Sequence, residues 1–598
     1  MDGERPSGSP GADDGVLLEA LPQRLVNCDA LRDYTGARAE EILARAATGN
    51  PVAPLFEPES AAGAEPVAYA EWPEVARQPG QGRVAYARHP GSNADEFYLV
   101  ANDAVPTISM SPSSIVGGML AMPDALKQAR GGAAPAYIFA DGARVLIVGE
   151  LDGAMLSAAG AATFFWALDL DANGSPQRQE LQYVDARLIG ARRSAGSVQV
   201  LLVASGSRLG LQSLPADPGT DPARLAEVRA GNRARIADAT ASDWLPRRVT
   251  ADTSTGAALA GATVPAIECG DIYAPATPSG LQLLTLVELE LAQGLSSWTA
   301  SGLYTGNVQV STGEDGQWGF VTEPWWSVSE DAARLAEQAA PETILHTFGT
   351  RARQLEPRGS IALRAAPQHD PALSQEGERW LLATHTGYGP ALNGADQGQI
   401  WSFQPTPGTL ALLARSPTFP LSPETQTEFA PGVAYVHTPG SDAASTLIDL
   451  SDPALELQEG PGADFRVLPW SNGQHLRVDL SQIRLLSGLT ELTRYERGAE
   501  PSLESYTIPE NGLFLDVPPA NSWNRTLRVQ RLAAVDPPET MGAVPIREGS
   551  LLPPLIENGV LLNAQFQARN GRAGGGSMGL ETFDATTLSK MGSVSGSY

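Results

Sequence analysis

The chain has 598 residues, in which 41 Lys and Arg stand against 68 Asp and Glu, a formal net charge of −27. That balance repels nucleic-acid phosphates and anionic lipid surfaces at long range, so neither is an expected partner. A hydrophobic share of 42% with only 18% charged residues excludes a disordered polyelectrolyte, and no run of eighteen apolar residues occurs that could cross a bilayer as a helix.

Single cores stop growing at about 300 residues, so a chain of this length either divides into domains or repeats one unit in series. The 61 Gly and 47 Pro supply turn punctuation throughout. Residues 1–15, MDGERPSGSPGADDG, read as a flexible leader without a basic-then-apolar export signal, which leaves a retained protein or a mature form whose signal was removed. Residues 16–90 read as an N-terminal helical segment and a strap. In 16–48, Leu31, Tyr34, Ile42 and Leu43 recur at helical spacing and predict one or two amphipathic helices. Residues 49–90, rich in Pro, Ala and Glu, predict an irregular connection with a strand at Arg83–Ala87.

From residue 91 to 598 short β runs separated by turns take over: EFYLVAND, AYIFADGARVLIVGE, ATFFWALDLDANG, QELQYVDARLIG and SVQVLLVAS. The pattern of a strand, an acidic turn and a second strand recurs, and Phe348 to Phe403 spans 55 residues. Four strands in a period of 40 to 55 residues predict an all-β fold, a β-propeller of about seven blades, or eight because residues 455–535 are hard to phase. Rim insertions are expected near 222–250 and 331–340. Tandem β-sandwiches are the alternative, but no linker after residue 95 separates them.

Several constellations could carry chemistry. Asp169, Asp171, Asn173, Gly174 and Glu180 fit D-x-D-x-N-G-x5-E, whose alternating hard oxygens suit calcium; the same residues also suit a plain hairpin with an Asn-Gly turn. Gly575, Ser577 and Gly579 match G-x-S-x-G but lie between β runs, where a nucleophile elbow needs a following helix. Among the six histidines, His89, His346, His369, His385, His437 and His475, no two stand at metal-ligand spacing. Trp318, Trp325 and Trp326 cluster in one blade and could grip a ligand or fill the blade core. Cys28 and Cys269 are either two separate buried thiols or a bridge closing a loop of about 240 residues, worth at most about 5 kcal/mol.

The segment NRARIADATASDWLPRRV, the cysteine before DIY and the later VTEPWW resemble bacterial secreted proteins with a C-terminal β-propeller domain distantly related to WD repeats. VNCDALRDYTGARAEEIL, YVDARLIG, TLIDLSDP and GLETFDATTLSKMGSV follow the same order. The chain departs from the family's acidic opening stretch, reduced here to GSNADEFYLV. The resemblance implies export and a disulfide between Cys28 and Cys269, and it carries no reaction. The resulting expectation is an extracytoplasmic, non-enzymatic scaffold with a protein partner, reaching a membrane only through that partner or a removed anchor. A channel-centred hydrolase and a calcium-stabilised structural subunit of a surface assembly are the alternatives.

Overall fold

The computed structural model describes strands, helices and short connections between residues 16 and 597; residues 1–15, 47–82, 88–95, 103–118, 324–342, 386–396 and a number of shorter connections lie outside the described residues. The helix-like stretch at 331–340 is among the latter. The fold is all-β, as the strand periodicity predicts, and belongs to the β-propeller class. Among the described residues nine sheets follow one another along the chain, against the seven or eight blades expected from the repeat. The stretch that resisted phasing, 455–535, divides between the end of the sixth sheet, the whole seventh and most of the eighth.

The middle sheets are the most regular. The main strands of sheet four are Val308–Thr312, Trp318–Thr322, Thr343–Arg351 and Gln354–Leu363; those of sheet five are Leu373–Glu376, Arg379–His385, Gln397–Thr406 and Thr409–Arg415, with the short strands Ala366–Pro367 and Phe419–Pro420 also pairing into it. Sheet six comprises Gln426–Ala430, Val433–His437, Thr446–Asp449 and Leu457–Glu459; sheet seven Phe465–Pro469, His475–Asp479, Gln482–Ser487 and Thr490–Glu496. Each is an antiparallel meander, in which every one of these strands pairs with its neighbour in sequence.

Strand alternation then gives each sheet two buried faces. On sheet five, Trp380, Leu382, Trp401 and Phe403 pack on Leu345 and Ile361 of sheet four. Their sequence neighbours Leu381, Ala383 and Ile400 point the other way, onto Ala434, Val436 and Ile448 of sheet six. A strand such as Arg379–His385 is therefore buried along nearly its whole length, which is why it reads as a continuous apolar run rather than an alternating one. Burial of rings such as Trp380 contributes about 2 to 3 kcal/mol each. Close approach also constrains small residues: a Cβ on Gly319 would lie 2.4 Å from the Trp380 ring.

Ion pairs and turns lock neighbouring sheets. The Ala352–Arg353 hairpin turn of sheet four holds both residues at positive φ, 49° and 65°, where L side chains are strained. Arg353 uses that conformation to reach Glu290 at 2.8 Å and to donate to the Glu288 carbonyl at 3.1 Å in sheet three. Arg497, at the end of sheet seven, pairs with Asp516 of the following sheet in a site where both side chains are buried.

The N-terminal segment is not helical throughout. Val16–Leu18 is a strand that pairs antiparallel with Ile361–Leu363 on the outer edge of sheet four, and Gln23–Arg24 pairs with Tyr273–Ala274. Pro22 cannot sit inside a helix, and the edge of sheet four offers the backbone partners that this short strand needs. The helix runs from Cys28 to Ala46, with the Asn27 side chain accepting from the Ala30 amide at 2.8 Å as its cap.

The expected excursion at 222–250 opens with a helix, Pro222–Asp238, but it does more than leave the rim. Its continuation, Arg247–Ala251 and Ala258–Pro265, adds two strands to the second sheet. The two helices pack on one another: Leu31 and Ala39 of the first share a core with Ile236, Trp244 and Tyr304. Cys28 and Cys269 are disulfide-bonded with their Cα atoms 5.0 Å apart, which staples the helix to the sheets.

Candidate functional site

Connections in an antiparallel meander alternate ends, so the turn after the first strand and the turn after the third open on the same side of every sheet. On sheets five to seven these turns converge around a groove of about 630 Å³. Glu376 and Gly377 come from the first turn of sheet five, Ala430 to Gly432 from that of sheet six, Gly473 from that of sheet seven, and Ser487 to Thr490 from the last turn of sheet seven. Gly377, Gly432, Gly473 and Gly488 all have positive φ, from 54° to 77°, the conformation that lets each strand reverse tightly. Gly432 and Gly488 meet backbone to backbone, and a Cβ on Gly432 would stand 3.0 Å from the Gly488 Cα.

The walls combine hydroxyls of Ser374, Ser451, Ser487 and Thr490 with the apolar side chains of Leu381, Phe429 and Leu489. Two carboxylates border it. Glu376 accepts from the Gly432 amide at 2.7 Å through Oε1 and from Arg379 at 2.8 Å through Oε2. Asp449 Oδ1 accepts from the amide and the hydroxyl of Ser451, at 2.9 and 2.6 Å. Among the described residues that line the groove there is no His, Cys, Lys or Arg.

Beneath the groove the contact between sheets six and seven combines an apolar cluster with buried polar groups. Leu489 and Ala430 pack on Val433, Tyr435 and Phe465. Tyr435 and His475 are buried, with the hydroxyl 2.7 Å from Nε2. Burial raises the Tyr435 pKa to about 12 and lowers that of His475 to about 4, with nearby Arg477 adding to the second shift. His437 stacks on Phe465 at 4.6 Å and lies 3.3 Å from Glu428.

The residues singled out in the sequence fall elsewhere. Asp169 ends a strand of the second sheet, where Arg144 grips both carboxylate oxygens at 2.6 and 3.0 Å, and that hydrogen bonding, against a smaller opposing effect of burial, holds its pKa below the usual value. Glu180 is paired with Arg178, and the four side chains surround a cavity of only about 60 Å³. The arginines supply the positive charge that an ion would bring, so the two described carboxylates of this motif are balanced without one. Asp171, Asn173 and Gly174 lie outside the described residues. Among the described residues no group of three or more His, Cys, Asp or Glu could hold a metal ion.

Trp318 is 3% exposed, stacked with Phe320 and covered by the Arg192 guanidinium 4.1 Å from its ring centre, which places it in the blade core. Trp325 and Trp326 lie outside the described residues. Ser577 and Gly579 sit within a strand, Gly576–Asp584, that pairs on both edges, without the helix that an elbow requires. His346 is buried and bonded to Ser360 at 2.8 Å. His385 and His437 are buried as well, whereas His89 and His369 lie outside the described residues. Sequence reading missed the groove. Its one visible signal was glycine in the tight turns of successive sheets, and turn glycines are too common in this chain to single out four.

No family model matches the chain, and no curated protein matches it. Solved structures to which it is similar include Hsv2 of Kluyveromyces marxianus, at 10% identity over 52% of this chain and 92% of that one, with a TM-score of 0.28. The β-propeller domain of the trilobed protease of Pyrococcus furiosus is 8% identical over 68% of this chain and 99% of that one, TM-score 0.28. The acylaminoacyl peptidase of Pyrococcus horikoshii is 8% identical over 68% of this chain but only 52% of its own length, TM-score 0.30. At these identities and scores the likenesses say nothing of activity.

Proposed function

We propose that this chain is an exported, non-enzymatic propeller that acts as a protein-binding scaffold at the cell surface, with the turn face of sheets five to seven as its binding surface. The observation that carries the reading is the groove, to which three consecutive sheets contribute turns and whose walls mix backbone, hydroxyls and apolar side chains. Concave sites of several hundred Å³ with convergent polar groups are where ligands bind, and loops on a rigid scaffold are the usual carriers of function. Both groove carboxylates are engaged in holding turns, and neither stands beside an imidazole or thiol of the lining. The disulfide favours an oxidising compartment, and no helix among the described residues is long and apolar enough to cross a membrane.

The test is a selection of displayed peptides on the full chain and on Thr490→Trp, which places a bulky ring at the groove rim, with mass spectrometry of the recovered peptides. Intact peptides retained by the native chain and lost by the variant uphold the reading. Cleaved peptides would replace it with the hydrolase alternative, and equal retention by both proteins would place binding elsewhere.

A further inference from the structure

Resting on that reading, we infer that the groove takes an extended peptide segment that presents a basic side chain, Lys or Arg, to Asp449. The charge of the lining points one way. It contains two carboxylates and, among the described residues, no cationic side chain. Glu376 is neutralised by Arg379, whose other terminal nitrogen donates to the Leu450 carbonyl at 2.8 Å and so holds the guanidinium in place.

Asp449 differs. Its Oδ1 anchors the turn at Ser451, and its Oδ2 makes no hydrogen bond or ion pair among the described residues. The side chain is half-buried at the groove wall, where the effective dielectric is lower than in water and a paired charge counts for more than one on an open surface. Phe429 and Leu489, both partly exposed, offer apolar surface for the aliphatic stem of Lys or Arg, with the charged head at the carboxylate. A net charge of −27 steers cationic segments toward the molecule and disfavours acidic ones.

Fluorescence anisotropy with three labelled pentapeptides, Ser-Val-X-Val-Ser with X as Lys, Gln or Glu, tests this on the full chain. The Lys peptide is expected to bind about tenfold more tightly than the Glu peptide, with Gln between them. Asp449→Asn keeps the oxygen that anchors the Ser451 turn, and it should bring the Lys peptide to the affinity of the Gln peptide. Thr490→Trp should remove binding of all three. Equal affinities on the native chain, all lost in Thr490→Trp, would overturn the charge inference and leave the groove standing. A Lys preference that survives in either variant would assign the effect to the surface field and overturn the inference. Binding of none of the three by the native chain would count against the inference and the groove reading together.

Discussion

At the scale of single residues, titration couples to folding at buried histidines, among them His475 in the seam between sheets six and seven. His475 is buried and its pKa is lowered to about 4, so the folded chain favours the neutral ring, whereas in the unfolded chain the ring titrates near 6.5. A base whose folded pKa is depressed contributes stability that is complete above the unfolded value and is lost as pH falls toward the folded one. His346, lowered to about 3 by burial alone, acts with the same sign. Between pH 6.5 and 4 the expected loss from His475 is about 3 kcal/mol. Thermal melts across that range should show a shallower fall for His475→Gln than for the native chain. Parallel falls would mean that His475 takes no part in the acid sensitivity.

At the scale of elements, the N-terminal segment is a strap with three attachments. Val16–Leu18 covers the edge of sheet four, Gln23–Arg24 pairs within sheet three, and the helix Cys28–Ala46 is stapled by the disulfide. Closing a loop between cysteines 241 positions apart contributes at most about 5 kcal/mol by the chain-entropy estimate, and 2 to 4 kcal/mol is typical. Cys28→Ser with Cys269→Ser should therefore lower stability by about 2 to 4 kcal/mol, measured by denaturant titration. The fold itself should persist, because Leu31 and Ala39 remain in a core shared with Ile236 and Tyr304. An unchanged midpoint would mean that packing alone holds the strap.

At the scale of the whole molecule, a net charge of −27 acts against compactness through self-repulsion, and added salt screens that repulsion at separations beyond about 10 Å at 0.1 M. The melting temperature should rise between about 20 and 300 mM sodium chloride. A fall would show instead that pairs such as Arg144 with Asp169 and Arg353 with Glu290 outweigh the overall charge.

What the sequence determined by itself is the class of fold, because continuous apolar runs such as RWLLATH and tight turns at a regular period demand sheets buried on both faces. The identity of the cysteine partners was visible only as a likeness, since counting two cysteines leaves a bridge and two free thiols equally open. Tertiary structure decided the rest. Asp169 fits a metal-ligand pattern in one dimension, and only the fold shows that Arg144, 25 positions earlier, stands across from it on the neighbouring strand and bonds both its oxygens, while Asp171 and Asn173 of the same motif lie outside the described residues. Trp318 could face a ligand or a blade until packing put it under Arg192. The groove joins turns from residue 374 to residue 490, and no local pattern can encode a cavity whose walls come from three separate sheets. Period and hydrophobicity are properties of neighbours in the chain, and convergence of turns is a property of how the sheets stack.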